Sequence, residues 1–200
     1  MQPPPTTLRI IQLLAVLLIC KTTAAVLLTY RDYFPPNFRA DFLLGRDDYF
    51  FGSYQRAFYT HILAGPFTLL AGLVLLSESV RRKFPAWHRR LGRVQVLCVL
   101  FIIAPSGLWM ARYAMSGTFA ALGFAALAIF TAVCAAMGWR SAVRRRFDQH
   151  RRWMLRCYVL LCSAVVIRVI GGMSEVLEIE WTYPIASWVS WLLPLFVLEL

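Results

Sequence analysis

Two short strings in this chain combine a histidine with two arginines, HRR at 88–90 and again at 150–152. Each string leads into a long apolar run, so we expect each to lie in the first turn of a helix. Free backbone N–H groups and the positive end of the helix dipole favour anions there, and arginine adds bidentate donors for phosphate. The pattern predicts a binding site for anionic phospholipid headgroups. Its candidate residues are His88, Arg89, Arg90, Arg93, His150, Arg151, Arg152 and Arg156.

The same two strings allow two other interpretations. Basic loops mark the cytoplasmic side of membrane proteins, and arginines at a helix end extend to the headgroups without binding a particular ligand. A b-type haem in a helical bundle takes two histidines at one depth, and His88 with His150 is the pair that meets this condition. The preferred interpretation includes no cofactor, and the haem-binding pair is the alternative.

A second candidate site combines residues from several apolar runs. His61 and Arg168 are each predicted near the outer end of a helix, at the same depth in the membrane. A charged arginine inside the hydrocarbon is costly unless it faces protein, water or a partner, so such residues mark candidate functional sites. Together with Gly65, Trp109 and Tyr59, the pair predicts a ligand pocket that opens outward.

The two cations within the apolar runs also have interpretations that need no ligand. Arg168 can extend to the headgroups, or pair with an acid just beyond its helix at Glu175, Glu178 or Glu180. Lys21 interrupts the first apolar run near its middle, and no acid is predicted at that depth. We therefore expect a tilted first helix, with Lys21 extended towards the headgroups.

Signatures of catalysis and of metal binding are lacking. The chain contains no Ser-His-Asp order, phosphate-binding glycine loop, HExxH motif or carboxylate pair. Its five cysteines form no CxxC pair and all lie in apolar runs, so neither a disulfide framework nor a zinc site is predicted. No catalytic residue is assigned, and an enzyme is the less favoured class.

The composition assigns these residues to a membrane protein. Of 200 residues, 60% are apolar and 16% charged, which excludes an ordinary soluble domain and a disordered chain. Apolar runs of this length cross a hydrocarbon core of ~30 Å as helices. The predicted helices are 9–30, 57–77, 91–111, 118–139, 153–173 and 181–198. We predict one all-α membrane domain over 1–200, a polytopic helix bundle with a four-helix core at 57–173.

Two segments near the N-terminus have more than one interpretation. The first run contains Thr23-Ala24-Ala25, which resembles a signal-peptidase site, but the apolar sequence continues beyond it and favours a retained helix. Residues 31–56 mix eight Phe or Tyr with acids and arginines, a mixture typical of the water–lipid interface. We expect an interfacial outer loop there, and a binding lid is the alternative.

The net charge of +11 indicates orientation rather than nucleic-acid binding. Its excess is concentrated in two loops, 81–90 and 140–152, and basic loops remain on the cytoplasmic side. Alternation then places both termini in the cytoplasm. We expect the bilayer and its anionic phospholipids as partners, and no nucleic acid.

The two basic loops also resemble each other. VRRKFPAWHRR at 80–90 matches VRRRFDQHRR at 143–152, and both precede a helix that enters the membrane from the same side. Helices 2–3 and helices 4–5 therefore look like two copies of one hairpin, with the first and last helices as additions. Convergence of two short basic turns is the alternative.

The order of these motifs resembles a known family. The elements are His61 with Gly65 and Gly72, HRRLGR at 88–93, HRRWMLR at 150–156 and Arg168. Over residues 57–172 this pattern is similar to the domain of unknown function 2306 family of predicted multi-pass membrane proteins. The resemblance implies a helical fold in a bacterial inner membrane, and it implies no reaction.

The expected function is that of a non-enzymatic membrane component. It would bind a lipid or small ligand, or serve as an accessory subunit of a membrane complex or homo-oligomer. A haem- or quinone-binding electron-transfer protein is the alternative, and a small-solute transporter is the third class.

Overall fold

A computed structural model of the chain describes residues 6–40, 42–178 and 182–200. Every regular element in these residues is helical, which confirms the all-α class. In chain order the α-helices are α1 (Thr6–Leu28), α2 (Asp47–Phe50), α3 (Ser53–Leu76), α4 (Glu78–Lys83), α5 (Pro85–Cys98), α6 (Ala104–Ala111), α7 (Gly117–Val143), α8 (Phe147–Leu161), α9 (Ser163–Val176) and α10 (Thr182–Glu199). A 3₁₀ turn at Thr29–Asp32 extends α1, and a π-helical turn at Val99–Ile103 joins α5 to α6.

Five stretches of helix in the described residues are long and apolar enough to cross a membrane. They are Arg9–Asp32, Ser53–Leu76, Pro85–Ala111, Gly117–Val143 and Phe147–Val176. The sixth predicted helix is present as α10, which is not among the five, and its first predicted residue, Trp181, lies outside the described residues. The polytopic helical bundle is confirmed.

The four spans from α3 to α9 form a closed core. α3 packs against α5 and α6, α6 packs against α7, α7 packs against α8, and α8 packs back against α3. Two hairpins, α3 with α5–α6 and α7 with α8–α9, therefore lie side by side. α1 packs on α3 and α9, while α10 packs on α7, α8 and α9. The first and last helices are thus added to the outside of the core.

Small residues allow the two hairpins to approach closely. The Tyr158 ring of α8 occupies the space that a side chain at Gly72 of α3 would need. Its hydroxyl donates to the Leu69 carbonyl at 3.1 Å, and Gln95 of α5 donates to the Thr68 carbonyl at 3.0 Å. Hydrogen bonds to carbonyl oxygens of α3 thus join both neighbouring spans to it, and glycine at position 72 makes the contact with α8 sterically possible.

One end of the bundle is closed by a packed aromatic cluster. We call it the aromatic cap: the described residues of 30–54 together with Phe58, Tyr59 and Tyr113. Phe50 and Tyr54 are almost fully buried, and their rings contact several neighbours edge-on or tilted at centroid distances of 6.1 Å or less. The segment that joins α1 to α3 is therefore a packed layer with its own apolar core.

Arg46 lies inside the aromatic cap with only 5% of its surface exposed. Its Nε donates to the Phe42 carbonyl at 2.5 Å, and Nη1 donates to the Tyr49 hydroxyl at 2.9 Å and the Tyr113 carbonyl at 3.2 Å. The guanidinium also lies over the Phe42 ring, 4.6 Å from its centroid. Because Tyr113 follows α6, Arg46 ties the cap to the loop between α6 and α7.

Candidate functional site

His61 lies between α3 and α6 and is already hydrogen-bonded. Its Nδ1 is 2.9 Å from the Ser106 hydroxyl, which itself donates to the Ile102 carbonyl at 2.5 Å. Since that hydroxyl has one proton, the imidazole Nδ1 is the donor to Ser106. Gly107 makes room for the ring, because a Cβ there would lie 3.2 Å from His61 Cε1. His61 therefore joins two helices of the first hairpin.

Neither Tyr59 nor Trp109 has a hydrogen bond or ring contact with His61 in the described residues. The Tyr59 hydroxyl donates to the Tyr33 carbonyl at 2.8 Å, and its ring stacks on Phe34 at 4.6 Å, so Tyr59 belongs to the aromatic cap. Two residues along a helix turn the side chain by about 200°, which separates Tyr59 from His61. Trp109 is 40% exposed on the bundle surface. The structure does not gather these residues into one outward pocket.

Gly65 adds free space rather than a contact. No heavy atom outside its own helix lies within 4 Å of the position that a Cβ would occupy there. Its carbonyl accepts a hydrogen bond from the Thr68 hydroxyl at 2.8 Å, within α3. Gly65 therefore remains beside His61 on the helix without lining an enclosed cavity.

Arg168 lies near His61, as the common depth predicts. Its guanidinium is within electrostatic range of the His61 imidazole and of the Tyr30 and Tyr33 phenols. Its hydrogen bond goes to its own helix, from Nη1 to the Ala164 carbonyl at 2.7 Å. The side chain is otherwise exposed on the outside of the core. The direction of the side chain depends on the neighbouring α1 and does not follow from position along the helix.

The alternative partners of Arg168 are not used in the described structure. Glu175 and Glu178 form no ion pair with Arg168 within 4 Å, and Glu180 lies outside the described residues. Arg168 instead lines a groove of about 510 Å³ between α1 and α9, which we call the lateral groove. Lys21 of α1 lines the same groove and is also exposed. Their separation along the chain gives no sign that these two cations share one surface.

His88 and His150 meet at the opposite end of the bundle, which we call the basic end (residues 77–90 and 140–152). Their imidazoles lie within electrostatic range of each other, and His88 is also in range of Arg81 and Arg89. The Nδ1 of His150 is 2.9 Å from the Gly138 carbonyl, to which it must donate. The Nδ1 of His88 is shielded from solvent and has no hydrogen-bond partner in the described residues.

The two histidines occupy equivalent positions in the two hairpins. Each is the fourth residue of its helix, α5 beginning at Pro85 and α8 at Phe147. The backbone N–H of His88 donates to the Phe84 carbonyl at 3.0 Å, and that of His150 donates to Arg146 at 2.9 Å. The expectation of free backbone N–H groups at HRR is therefore wrong, because the first full helical turn already precedes each histidine. Anion binding at this end must come from side chains.

Arg156 forms an ion pair with an acid of α10. Its guanidinium binds both carboxylate oxygens of Glu199, at 2.5 and 2.8 Å, and lies over the Trp153 ring at 4.8 Å. Hydrogen bonds from Arg156 hold the pKa of the Glu199 carboxyl below its ordinary value. This pair fastens the last helix to α8, so Arg156 is not free for a ligand.

Two arginines of the basic end pair with an acid, and its other arginines form no ion pair within 4 Å in the described residues. Glu78 binds Arg81 and Arg82 at 3.7 and 2.7 Å. In the part of the chain that the structure describes, four HRR arginines and Arg93 form no ion pair within 4 Å. The four are Arg89, Arg90, Arg151 and Arg152. They present exposed positive charge around the two histidines.

Candidates for holding a cofactor are His88 and His150. Across residues 6–40, 42–178 and 182–200, no three His, Cys, Asp or Glu side chains converge as a metal site. The five cysteines have free thiols, three of them buried in the core.

Comparison with known proteins identifies a family but no reaction. No curated protein and no solved structure matches the chain. A family model described as "Predicted membrane protein (DUF2306)" matches residues 58–200. The match extends through α10, so residues 174–200, which the sequence resemblance left out, lie in the family region. Because the match covers more than half of the chain, the protein belongs to the DUF2306 family of predicted multi-pass membrane proteins of unknown function.

Proposed function

We propose that this protein is a non-catalytic membrane component that binds anionic phospholipid headgroups at its basic end. The observation that carries the proposal is the pairing of the two HRR strings. One string from each hairpin comes to the same end of the core, with His88 and His150 within electrostatic range. The four arginines that follow them have no acidic partner within 4 Å in the described residues.

Arginine side chains suit phosphate better than they suit catalysis. A guanidinium stays protonated and presents a planar set of donors, which binds two phosphate oxygens at once. His150 is oriented by the Gly138 carbonyl at 2.9 Å, so its imidazole is held in position. Groups of this kind bind and orient an anion, and they support an accessory role in a larger membrane complex or oligomer.

The positive charges of the basic end support one orientation of the protein in the membrane. Basic loops remain on the cytoplasmic side, where anionic lipids attract them. We infer that the basic end faces the cytoplasm of a bacterial inner membrane, with both termini on that side. The acid of Glu199, at the end of α10, pairs with Arg156 near the same end.

A binding assay with an equal-charge control tests the headgroup site. The probe is dioctanoyl phosphatidylglycerol, added to the detergent-purified protein and counted as bound lipid by native mass spectrometry. Changing Arg89, Arg90, Arg151 and Arg152 to Gln is expected to weaken binding at least about tenfold, because charge-assisted hydrogen bonds are lost. The control changes to Gln four other arginines of the same end that form no ion pair in the described residues, Arg140, Arg144, Arg145 and Arg146. Equal losses in both variants would show that only bulk positive charge attracts the lipid, and would overturn the proposal.

A haem-binding role is the second candidate, and the geometry of His150 favours it. Donation from Nδ1 to the Gly138 carbonyl leaves the lone pair of Nε2 free. Metal-binding histidines are commonly held by such a bond from the other ring nitrogen. The test is an absorption spectrum of protein purified from haem-supplied cells. A Soret band that is lost in both His88→Ala and His150→Ala supports this candidate, and a colourless protein rejects it.

A further inference from the structure

We propose that the lateral groove between α1 and α9 binds the headgroup of one anionic phospholipid through Lys21 and Arg168. Arg168 of this site lies towards the aromatic cap, at the end of the bundle opposite to the HRR strings. The proposal does not rest on the function proposed above. The site is built from α1, which precedes the family match, and α9, which belongs to it.

Both cations lie within helical stretches that qualify as membrane spans. Lys21 is near the middle of Arg9–Asp32, and Arg168 is in the second half of Phe147–Val176. A charge at such a depth is costly, and its position is normally explained by an opposite charge, by water or by backbone carbonyls. These two residues therefore need a partner more than the arginines of the loops do.

The described part of the protein supplies few acceptors and no acid for these two cations. In the described residues neither Lys21 nor Arg168 forms an ion pair within 4 Å. Within the described residues Arg168 donates one side-chain hydrogen bond, to the Ala164 carbonyl, and most of its five N–H donors have no partner there. Both side chains are exposed into the same groove, so two positive charges without an acid face one space.

Apart from Thr22, the rest of the groove is lined by apolar residues and glycine. Its volume is about 510 Å³, and α1 contributes one helix face in which Lys21 lies between Leu18 and Ala25. On α9, Met173 and Val176 form the other wall, and among the described residues outside its own helix backbone no heavy atom lies within 4 Å of a Cβ built on Gly172. An acyl chain therefore has an apolar wall on each side next to the cationic pair.

Charge complementarity selects an anionic phospholipid over other occupants. Arginine binds phosphate oxygens through two donors and lysine adds a point charge, so the two together match a phosphodiester. Phosphatidylglycerol carries one negative charge and no cation. Phosphatidylcholine brings an ammonium group that Lys21 and Arg168 would repel.

The test measures lipid binding in a protein whose basic end has lost its four HRR arginines. All variants carry the four Gln substitutions at Arg89, Arg90, Arg151 and Arg152, so the result is independent of the first proposal. The probes are dioctanoyl phosphatidylglycerol and dioctanoyl phosphatidylcholine, counted by native mass spectrometry. Phosphatidylglycerol is expected to bind at least about tenfold more tightly, and Lys21→Gln and Arg168→Gln are each expected to remove about tenfold. Equal binding of the two lipids overturns the proposal.

Two matched controls separate the groove from general effects. Arg112→Gln removes an exposed arginine that does not line the groove and forms no ion pair in the described residues, and should leave binding within about twofold. Gly172→Phe fills the groove while keeping both cations, whereas Gly171→Phe places the same ring outside it, since both glycines have open space beside them. Loss of binding in Gly172→Phe alone is expected. Equal effects of the two Phe variants, or competition by inorganic phosphate alone, would exclude a lipid in the groove.

Discussion

Arg46 and Arg168 lie on the same side of the bundle and neither has an acid within 4 Å in the described residues, yet their surroundings are opposite. Arg46 is 5% exposed and donates to two carbonyls and one hydroxyl, with an aromatic ring beneath it. Arg168 donates to one carbonyl of its own helix and is exposed into a groove that it shares with Lys21.

The difference shows how the neighbours of a cation decide its role. Arg46 is buried and donates three hydrogen bonds within the aromatic cap, so its guanidinium ties the fold together and is not open to a ligand. Arg168 has donors left over and a second cation beside it, so the fold alone does not account for it. Residue type and approximate depth do not distinguish the two.

The largest expected effect concerns Arg46. Arg46→Leu leaves the Phe42 and Tyr113 carbonyls without their donor inside the aromatic cap. We expect the free energy of unfolding to fall by about 2–4 kcal/mol, because buried unsatisfied acceptors are expensive. Arg168→Leu should change it by less than about 1 kcal/mol, since an exposed cation is removed from an apolar surface. Reversible unfolding in mixed SDS micelles measures the free energy of unfolding of both variants. Similar decreases in the two variants would contradict the expected difference between Arg46 and Arg168.

A pair of glycines sharpens the same contrast between packed and open surfaces. In Gly72→Ala the added methyl collides with the Tyr158 ring, whereas in Gly172→Ala it enters the lateral groove with no atom within 4 Å. We expect Gly72→Ala to cost about 1–3 kcal/mol and Gly172→Ala to stay within about 0.5 kcal/mol. The same SDS titration compares them. A destabilising Gly172→Ala would mean that the groove is packed.

The smallest effect is expected at Arg156, the arginine whose partner is an acid. Its bonds hold the pKa of Glu199 low, so the charged carboxylate favours the folded state. This contribution is complete above the ordinary Glu pKa of about 4.3 and is lost as the pH falls through the lowered folded-state value. The pair is partly exposed, so its effect is small. The melting temperature of the wild type should exceed that of Glu199→Gln near pH 7, and the gap should shrink on acidification. A gap that is independent of pH would contradict the ion pair.

Much of the fold could be predicted because hydrophobic length is a local property. Runs of the required length and one-sided basic loops led to the helices of the core, and the matching strings at 80–90 and 143–152 led to the two hairpins. The aromatic cap could not be predicted in this way. Arg46 stands among phenyl rings in a segment that composition assigns to an interface, and only packing shows that it is buried.

The candidate sites were predictable in part. Depth follows from position along a helix, and Arg168 lies within electrostatic range of His61. Direction around the helix axis depends on which neighbours pack there, and so Tyr59 was assigned to the wrong group of neighbours. The interpretation of Arg156 as a free headgroup ligand overlooked Glu199, which comes close only because α10 packs back on α8.

The amino-acid sequence by itself determined that the chain is a multi-pass helical membrane protein, because burial of apolar surface and satisfaction of backbone hydrogen bonds in lipid allow few other solutions. It also determined which residues carry charge into the apolar runs. The tertiary structure alone decided which of those charges meet. α1 and α9 are far apart along the chain, and only their packing places Lys21 beside Arg168 in one groove.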